Sequence, residues 1–376
     1  MMSWKMPSLE NPLEYQTPRW SLWLFCMIIA GGIGFSIGIY LLSSELLPDT
    51  ADNTVTMILF TGSPVLLIFL VCYFIETVTY YKCKYSSEIL EQTKRKWRSW
   101  AGKHVGVLTH FRLTQLDESQ QSRLKLTPHL PNKDNRLALN SLKSLSVWEK
   151  QEKVVQQLLE PIAAYYHQYR LNQDITLYWQ AENDNEDWQE YIQQAASRLL
   201  LPIKSIEKLP YDSFSEWFLT LYDNTFNSEL YAVLAFQLAP SASEEAGSLL
   251  LAPQCIYHPL GTPVKAKLLR PISTDRDTFS EALAAQCDFQ SSGEQLVGVW
   301  HCGVRDNEKG KFVENYARQG ITQLSEHFYD IDALLGQGGI ARHVVALSLV
   351  CESPHHQLIV YGDKNRYLLQ QLQNIA

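Results

Sequence analysis

The chain has 376 residues, a formal net charge of −8 and an apolar fraction of 46%. That is enough for a sizeable core, and it is the wrong charge balance for a broad phosphate-neutralising face, so nucleic acid is excluded as a general partner. The seven cysteines stand singly, without C-x-x-C or paired Cys/His spacing, so neither a zinc site nor a disulfide framework is expected, and the sequence implies no cofactor.

From Trp20 to Leu42 there is no charged residue. About 23 residues rising 1.5 Å each match a hydrocarbon core of about 30 Å, which predicts a membrane span. A second uncharged run, Thr54 to Ile75, contains Pro64, where a kink is expected rather than a break. A cleaved signal peptide would have a shorter apolar core and a small-residue cleavage site. The connector Glu45 to Asn53 carries three acids and no base, whereas Lys82, Lys84, Lys94, Arg95, Lys96, Arg98 and Lys103 follow the second run. Both termini are therefore expected on the cytoplasmic side.

Ala30, Gly34 and Gly38 recur every four residues and put small side chains on one helix face, for packing against the second span or against a second copy in a homodimer. Residues 86–103, SSEILEQTKRKWRSWAGK, predict a helix opened by serine caps with Glu88 and Glu91 in its first turn. Its bases Lys94, Arg95, Lys96 and Arg98 suit anionic headgroups or ordinary positive-inside signalling. The predicted domains are a cytoplasmic segment 1–19, spans 20–42 and 54–75, a short periplasmic hairpin 43–53, a basic juxtamembrane helix 76–103 and a cytoplasmic domain 104–376.

The remainder alternates strands and helices. HVGVLTHFRL (104–113) has strand composition, a polar loop is expected from Asp117 to Arg136, and Val154, Val155, Leu158, Leu159, Ile162 and Tyr166 fall at helical spacing with Pro161 interrupting. ITLYW (175–179) is a short apolar run, and Trp188, Ile192, Ala195 and Leu199 mark a helix introduced by ENDNED. Two segments opening at Asp212 and Asp277 each show a capping-box pattern, Ser213 to Glu216 and Thr278 to Glu281, then reach a strand, which suggests an internal duplication. Further elements are AGSLLLAP (246–253), QLVGVWHCG (295–303), a polar helix near Glu314 to Ala317, and HQLIVYGD (356–363). VVALSLVCES and QLIVYGD, flanking Pro354-His355-His356, also read as an antiparallel hairpin. The predicted class is α/β: two transmembrane helices followed by a layered domain, with two similar halves as one arrangement.

DALLGQGGIARHVVALSLV (332–350) packs Gly336, Gly338 and Gly339 into a loop. No Lys-Ser/Thr follows, so it is not a P-loop, and it does not fit G-x-G-x-x-G. Taken in order, EEAGSLLLAP, FSEAL, VGVWHCG, DNEKGKFVENYA, this glycine loop and LIVYGD resemble the thiolase and β-ketoacyl-synthase superfamily across about residues 240–365. The resemblance implies a thiolase-like fold, a catalytic His-Gly at a strand end and a Gly-His opening a buried helix. Here His301-Cys302-Gly303 stands at the first position, and Gln337 follows Gly336 where the second histidine belongs. No cysteine between 104 and 254 supplies the nucleophile of the first half, so condensation through a thiolate is not expected.

This degeneracy implies a pseudoenzyme whose glycines persist for packing. His301 and Cys302, as strand neighbours, are expected on opposite faces. The chain is also similar to membrane-tethered accessory proteins encoded beside type VI secretion genes, including adapters for lipase effectors. The expected function is a bacterial inner-membrane protein whose domain docks a protein partner, an effector or secretion component. The alternatives are an immunity protein against a membrane-acting or lipase toxin, and a membrane-bound acyl-transfer enzyme using Cys302 or Cys255.

Overall fold

A computed structural model describes residues 2–5, 13–15, 17–44, 52–118, 135–182, 187–209, 214–222, 229–321, 328–363 and 366–375. The predicted acidic connector and the predicted 117–136 loop lie almost wholly outside these residues, as does Ser213. The chain divides into two units, residues 7–96 and residues 1–6 together with 97–376.

In the first unit, α1 (Trp20–Ser43) and α2 (Asn53–Ala101) are long and apolar enough to cross a membrane. Their apolar side chains point outward, with Ile28 71% and Ile58 67% exposed. Water would penalise such a continuous apolar surface and lipid would not. Helix α2 runs unbroken through Pro64 and through Ser86–Ser87, so no separate helix begins at the serines. Their capping chemistry is overridden because residues on both sides hold helical hydrogen bonds. The helices meet at the small-residue stripe. A Cβ at Gly34 would lie 2.1 Å from the Phe60 carbonyl oxygen and 3.3 Å from Pro64 Cγ, and one at Gly38 would lie 3.0 Å from Met57 Sδ. Ala30 on the same stripe is half-buried.

The second unit runs β1 (His104–Leu113), α3 (Gln115–Glu118), α4 (Val147–Gln168), β2 (Ile175–Ala181), α5 (Asp187–Arg198), β3 (Ile203–Lys208), α6 (Phe214–Thr220), β4 (Leu230–Gln237), β5 (Glu245–Pro253) and α7 (Gln254–Leu260). It continues with β6 (Ala266–Leu269), β7 (Ile272–Asp275), α8 (Phe279–Phe289), β8 (Leu296–Cys302), α9 (Asp306–Arg318), β9 (Phe328–Asp330), α10 (Ile331–Leu335), α11 (Arg342–Val350), β10 (His356–Asp363) and β11 (Arg366–Asn374). The strands hydrogen-bond in the order β3-β2-β4-β5-β1-β6-β11-β10-β8-β9, with β7 also on β11. Each end is parallel, β3-β2-β4 and β10-β8-β9, and the middle is antiparallel.

Strand alternation sorts the core into layers. Leu230, Ala232, Leu234 and Phe236 of β4 face α4 and α5, while Tyr231, Val233 and Ala235 face α11. At the other end, Trp300, Cys302 and Ile359 also face α11, and Val299, Leu358 and Val360 face α8 and α9. Strands from both parts of the one sheet, β4 and β5 as well as β8 and β10, thus pack against α11, which explains why RHVVALSLV is buried on every side. This corrects the hairpin reading of VVALSLVCES. A nine-residue apolar run has no period that separates strand from buried helix, and the actual hairpin joins β10 to β11.

Two further expectations change. Helix α4 passes through Pro161 without restarting. Thr278 makes no side-chain cap on α8; its hydroxyl pairs with that of Thr274 at 2.8 Å, so this capping box does not form. Each of α6 and α8 does lead into a buried strand, β4 and β8 respectively, at opposite ends of the sheet.

Residues 2–5 belong to this unit. Trp4 is buried against Trp100, its indole N–H donates to the Pro271 carbonyl at 3.0 Å, and Ser3 exchanges two hydrogen bonds with Ser273 at the start of β7.

Candidate functional site

The end of β8, the glycine loop and the start of α11 converge on a cavity of about 500 Å³ lined by Cys302, Gly303, Asp332, Gln337, Arg342 and Tyr361 among others. Of the four residues singled out in the sequence for a degenerate site, Cys302 and Gln337 line it. Gly336 sits beside it with φ +76° and a Cβ position 2.4 Å from the Asn135 carbonyl oxygen. That close approach leaves no room for a side chain. His301 faces the other side of the sheet, between Phe312 and Phe328, and its Nε2 shares a 2.6 Å hydrogen bond with the Tyr316 hydroxyl.

Gln337 is tied off outward. Its side-chain oxygen accepts from Arg136 Nε at 3.1 Å, and its backbone bonds Asn135 and Ser243. Gln337 and Gly338 are exposed while the helix that follows is buried. The loop tip is thus a surface turn, and burial begins at Ala341.

The charged residue buried in the wall of this cavity is Arg342, which is 2% exposed. Its Nε donates to both carboxylate oxygens of Glu245 at 2.9 and 3.0 Å. One terminal nitrogen donates to Asp332 Oδ1 and to the Gly336 carbonyl, both at 3.0 Å, and the other to the Leu335 carbonyl at 3.3 Å. The second oxygen of Asp332 accepts the Gly303 N–H at 2.6 Å. The guanidinium fork and two carboxylates thus cross-link β5, α10, α11 and the end of β8. Burial disfavours the Arg342 charge, but Glu245 and Asp332 outweigh it and hold the guanidinium protonated. Burial raises the Glu245 carboxyl against the pull of Arg342.

Cys302 is fully buried, and burial, with Asp332 nearby, pushes its thiol well above the ordinary range. A thiol so placed is protonated at neutral pH and is a poor nucleophile. His343, next to Arg342, stacks on Tyr361 with ring centroids 4.2 Å apart. Sequence reasoning missed Arg342, Asp332 and Glu245. The available signal was a lone arginine opening an apolar run, since a charge in a buried segment requires a carboxylate partner.

Burial holds His301 and His343 each down at about 3. Between about pH 6.5 and 3 the unfolded chain therefore binds the extra protons, so stability is complete above that window and declines as pH falls through it. Each histidine contributes up to about 1.4 kcal/mol per pH unit there. We expect the urea midpoint to drop between pH 7 and pH 5, with a shallower drop in His343→Phe; an identical drop in that variant would remove His343 from the account.

No family model matches the chain, and no curated protein matches it in sequence. Solved structures match its fold. The oxazolomycin ketosynthase domain of Streptomyces albus is 11% identical over 73% of this chain and 96% of that one, with a TM-score of 0.51. A ketosynthase of a type II polyketide synthase, solved with its acyl-carrier protein and a hexaketide, is 10% identical over 73% of this chain and 100% of that one, with a TM-score of 0.50. The α/β domain has a thiolase-like fold, the class to which these condensing enzymes belong.

Proposed function

We propose that this is a membrane-anchored, non-enzymatic binding protein whose thiolase-like domain docks a protein partner. The observation that carries the reading is the Glu245–Arg342–Asp332 network. It places a neutralised guanidinium in the wall of the cavity, beside a protonated thiol and a glutamine committed to Arg136. Oxyanion stabilisation needs donors aimed at a developing charge, and all the donor nitrogens of Arg342 are engaged within the protein.

The bacterial inner membrane is the setting we assign, with both termini cytoplasmic. Residues 2–5 precede α1 and residues 97 onward end and follow α2, yet they fold as one body, which supports a two-span hairpin with both flanks on one side. The basic residues after the second span support the cytoplasmic side. Under this reading the partner is a secreted effector or a secretion component, and the domain serves as its adapter.

The full chain in detergent should show no acyl-CoA condensation, transfer or hydrolysis, and Cys302→Ala and Cys255→Ala should leave it equally inactive. Turnover abolished by either substitution would overturn the reading. In intact cells, a cysteine placed at Asp49 should react with an impermeant thiol reagent and one placed at Ser119 should not. The reverse pattern would invert the topology and exclude a cytoplasmic partner.

A further inference from the structure

Residues 2–5 sit on the α/β domain as a bound peptide would. Strand β7 pairs with β11, on one side only among the described residues. On its other side the Ser3 N–H donates to the Ser273 carbonyl at 2.7 Å, and the Ser273 N–H donates to Ser3 Oγ at 2.9 Å. The first of these is the main-chain bond by which a segment adds to an open sheet edge. Met2 and Trp4 pack on the core, while Ser3 and Lys5 are exposed.

Trp4 is the anchor. It is 3% exposed, its indole N–H donates to the Pro271 carbonyl at 3.0 Å, and its ring meets Trp100 edge to face at 5.2 Å. A buried tryptophan with its N–H satisfied is a common anchor of peptide and protein interfaces. The socket is held by contacts of its own. Trp100 carries the Arg270 guanidinium 4.1 Å from its ring centroid and packs on Trp97 at 4.9 Å, and Gln290 donates to the Ala101 and Arg270 carbonyls. None of these contacts involves residues 2–5.

Against the ordering of four residues stand one fully buried side chain and three hydrogen bonds. That balance is small beside the stability of the sheet, so the segment can open while the domain stays folded.

We infer that the open edge of β7 and the Trp100 socket form a recognition site for a short tryptophan-bearing peptide, and that residues 2–5 fill it in cis as a releasable strap. A partner segment of this chemistry gains the site only when the strap leaves. As a place for a partner the site rests on the docking function proposed above; as a peptide site it rests on these contacts alone.

The test uses the full chain in detergent and a peptide of residues 2–5, Met-Ser-Trp-Lys amide, labelled with fluorescein at its amino end and followed by fluorescence anisotropy. Trp4→Ala, which empties the socket, should bind the peptide saturably. The parent chain should bind it at least about tenfold more weakly, because the tethered strap competes at high effective concentration. A peptide with alanine for tryptophan should not bind. One N-methylated at its serine, lacking the donor to Ser273, should bind about fivefold more weakly, the loss of one hydrogen bond. Ser3→Pro in the full chain removes the same donor, should raise peptide affinity above the parent's, and serves if Trp4→Ala does not fold. Absence of saturable binding to Trp4→Ala and Ser3→Pro, or equal binding of the alanine peptide, would overturn the site. Equal binding by Trp4→Ala and the parent would overturn the strap. Acyl-CoA turnover would sink the non-enzymatic reading without moving these outcomes, so the two fail separately.

Discussion

Replacing Arg342 with methionine is expected to destabilise the α/β domain by about 3–5 kcal/mol, the usual cost of removing one partner from a buried ion pair. Glu245 is 1% exposed and accepts two hydrogen bonds from the arginine. Without the guanidinium it must ionise unpaired or take up a proton, and either outcome is costly for a carboxylate as buried as Glu245. Asp332 would keep its bond from Gly303 but lose its charged partner. The double variant Arg342→Met/Glu245→Leu should recover a large part of the loss, because well-packed apolar residues commonly replace a buried pair at little cost. Urea denaturation of the three variants measures both quantities. Equal stability of Arg342→Met and the parent chain would show that the network holds nothing together and would remove the main support for the non-enzymatic reading.

Gly303→Ala is expected to cost about 3 kcal/mol or more, through backbone geometry alone. Gly303 has φ +68°, and a Cβ there would lie 2.4 Å from the Gly362 carbonyl oxygen. The clash is with backbone just past the register of β8 and β10, so no rotamer change relieves it. Moving the strand end would also break the 2.6 Å bond from the Gly303 N–H to Asp332. Gly310→Ala is the control: Gly310 lies inside α9 and a Cβ there meets nothing within 4 Å. That exchange should stabilise by about 0.5–1 kcal/mol through helix propensity. Similar melting temperatures for the two variants would refute the packing account of Gly303.

These two residues also mark how far the sequence reaches. Trp20–Leu42 and Thr54–Ile75 are legible as candidate spans from length and lack of charge alone, because an uncharged apolar run of that length matches the hydrocarbon thickness. The strands at 104–113, 246–253 and 356–363 and the amphipathic helices α5 and α9 follow from hydrophobic period and from acids in their first turns. The order of those elements carries the thiolase-like resemblance, and strand alternation separates His301 from Cys302. The segment 342–350 has no such period, since a helix covered on every side by strands from both parts of the sheet has no solvent face to mark. Its state was decided by layers that only the assembled fold supplies.

The site divides along the same line. Gly336 and Gln337 are legible as a glycine loop with glutamine where the family resemblance implies histidine, because residue type is read directly along the chain. The network in the cavity wall is not legible in the same way. Glu245 lies 97 residues from Arg342, and nothing local pairs an acid on one strand with a base on a distant helix. Likewise Trp4 gives no sign in sequence that it packs on Trp100 and Pro271, because contact across the whole hairpin depends on where the chain returns. Sequence alone determined which segments are apolar, periodic or lacking a reactive group, since those are properties of neighbours along the chain. Only the tertiary structure decided that the buried Arg342 pairs with Glu245 and Asp332 beside Cys302, because burial and partnership are set by residues far apart in sequence.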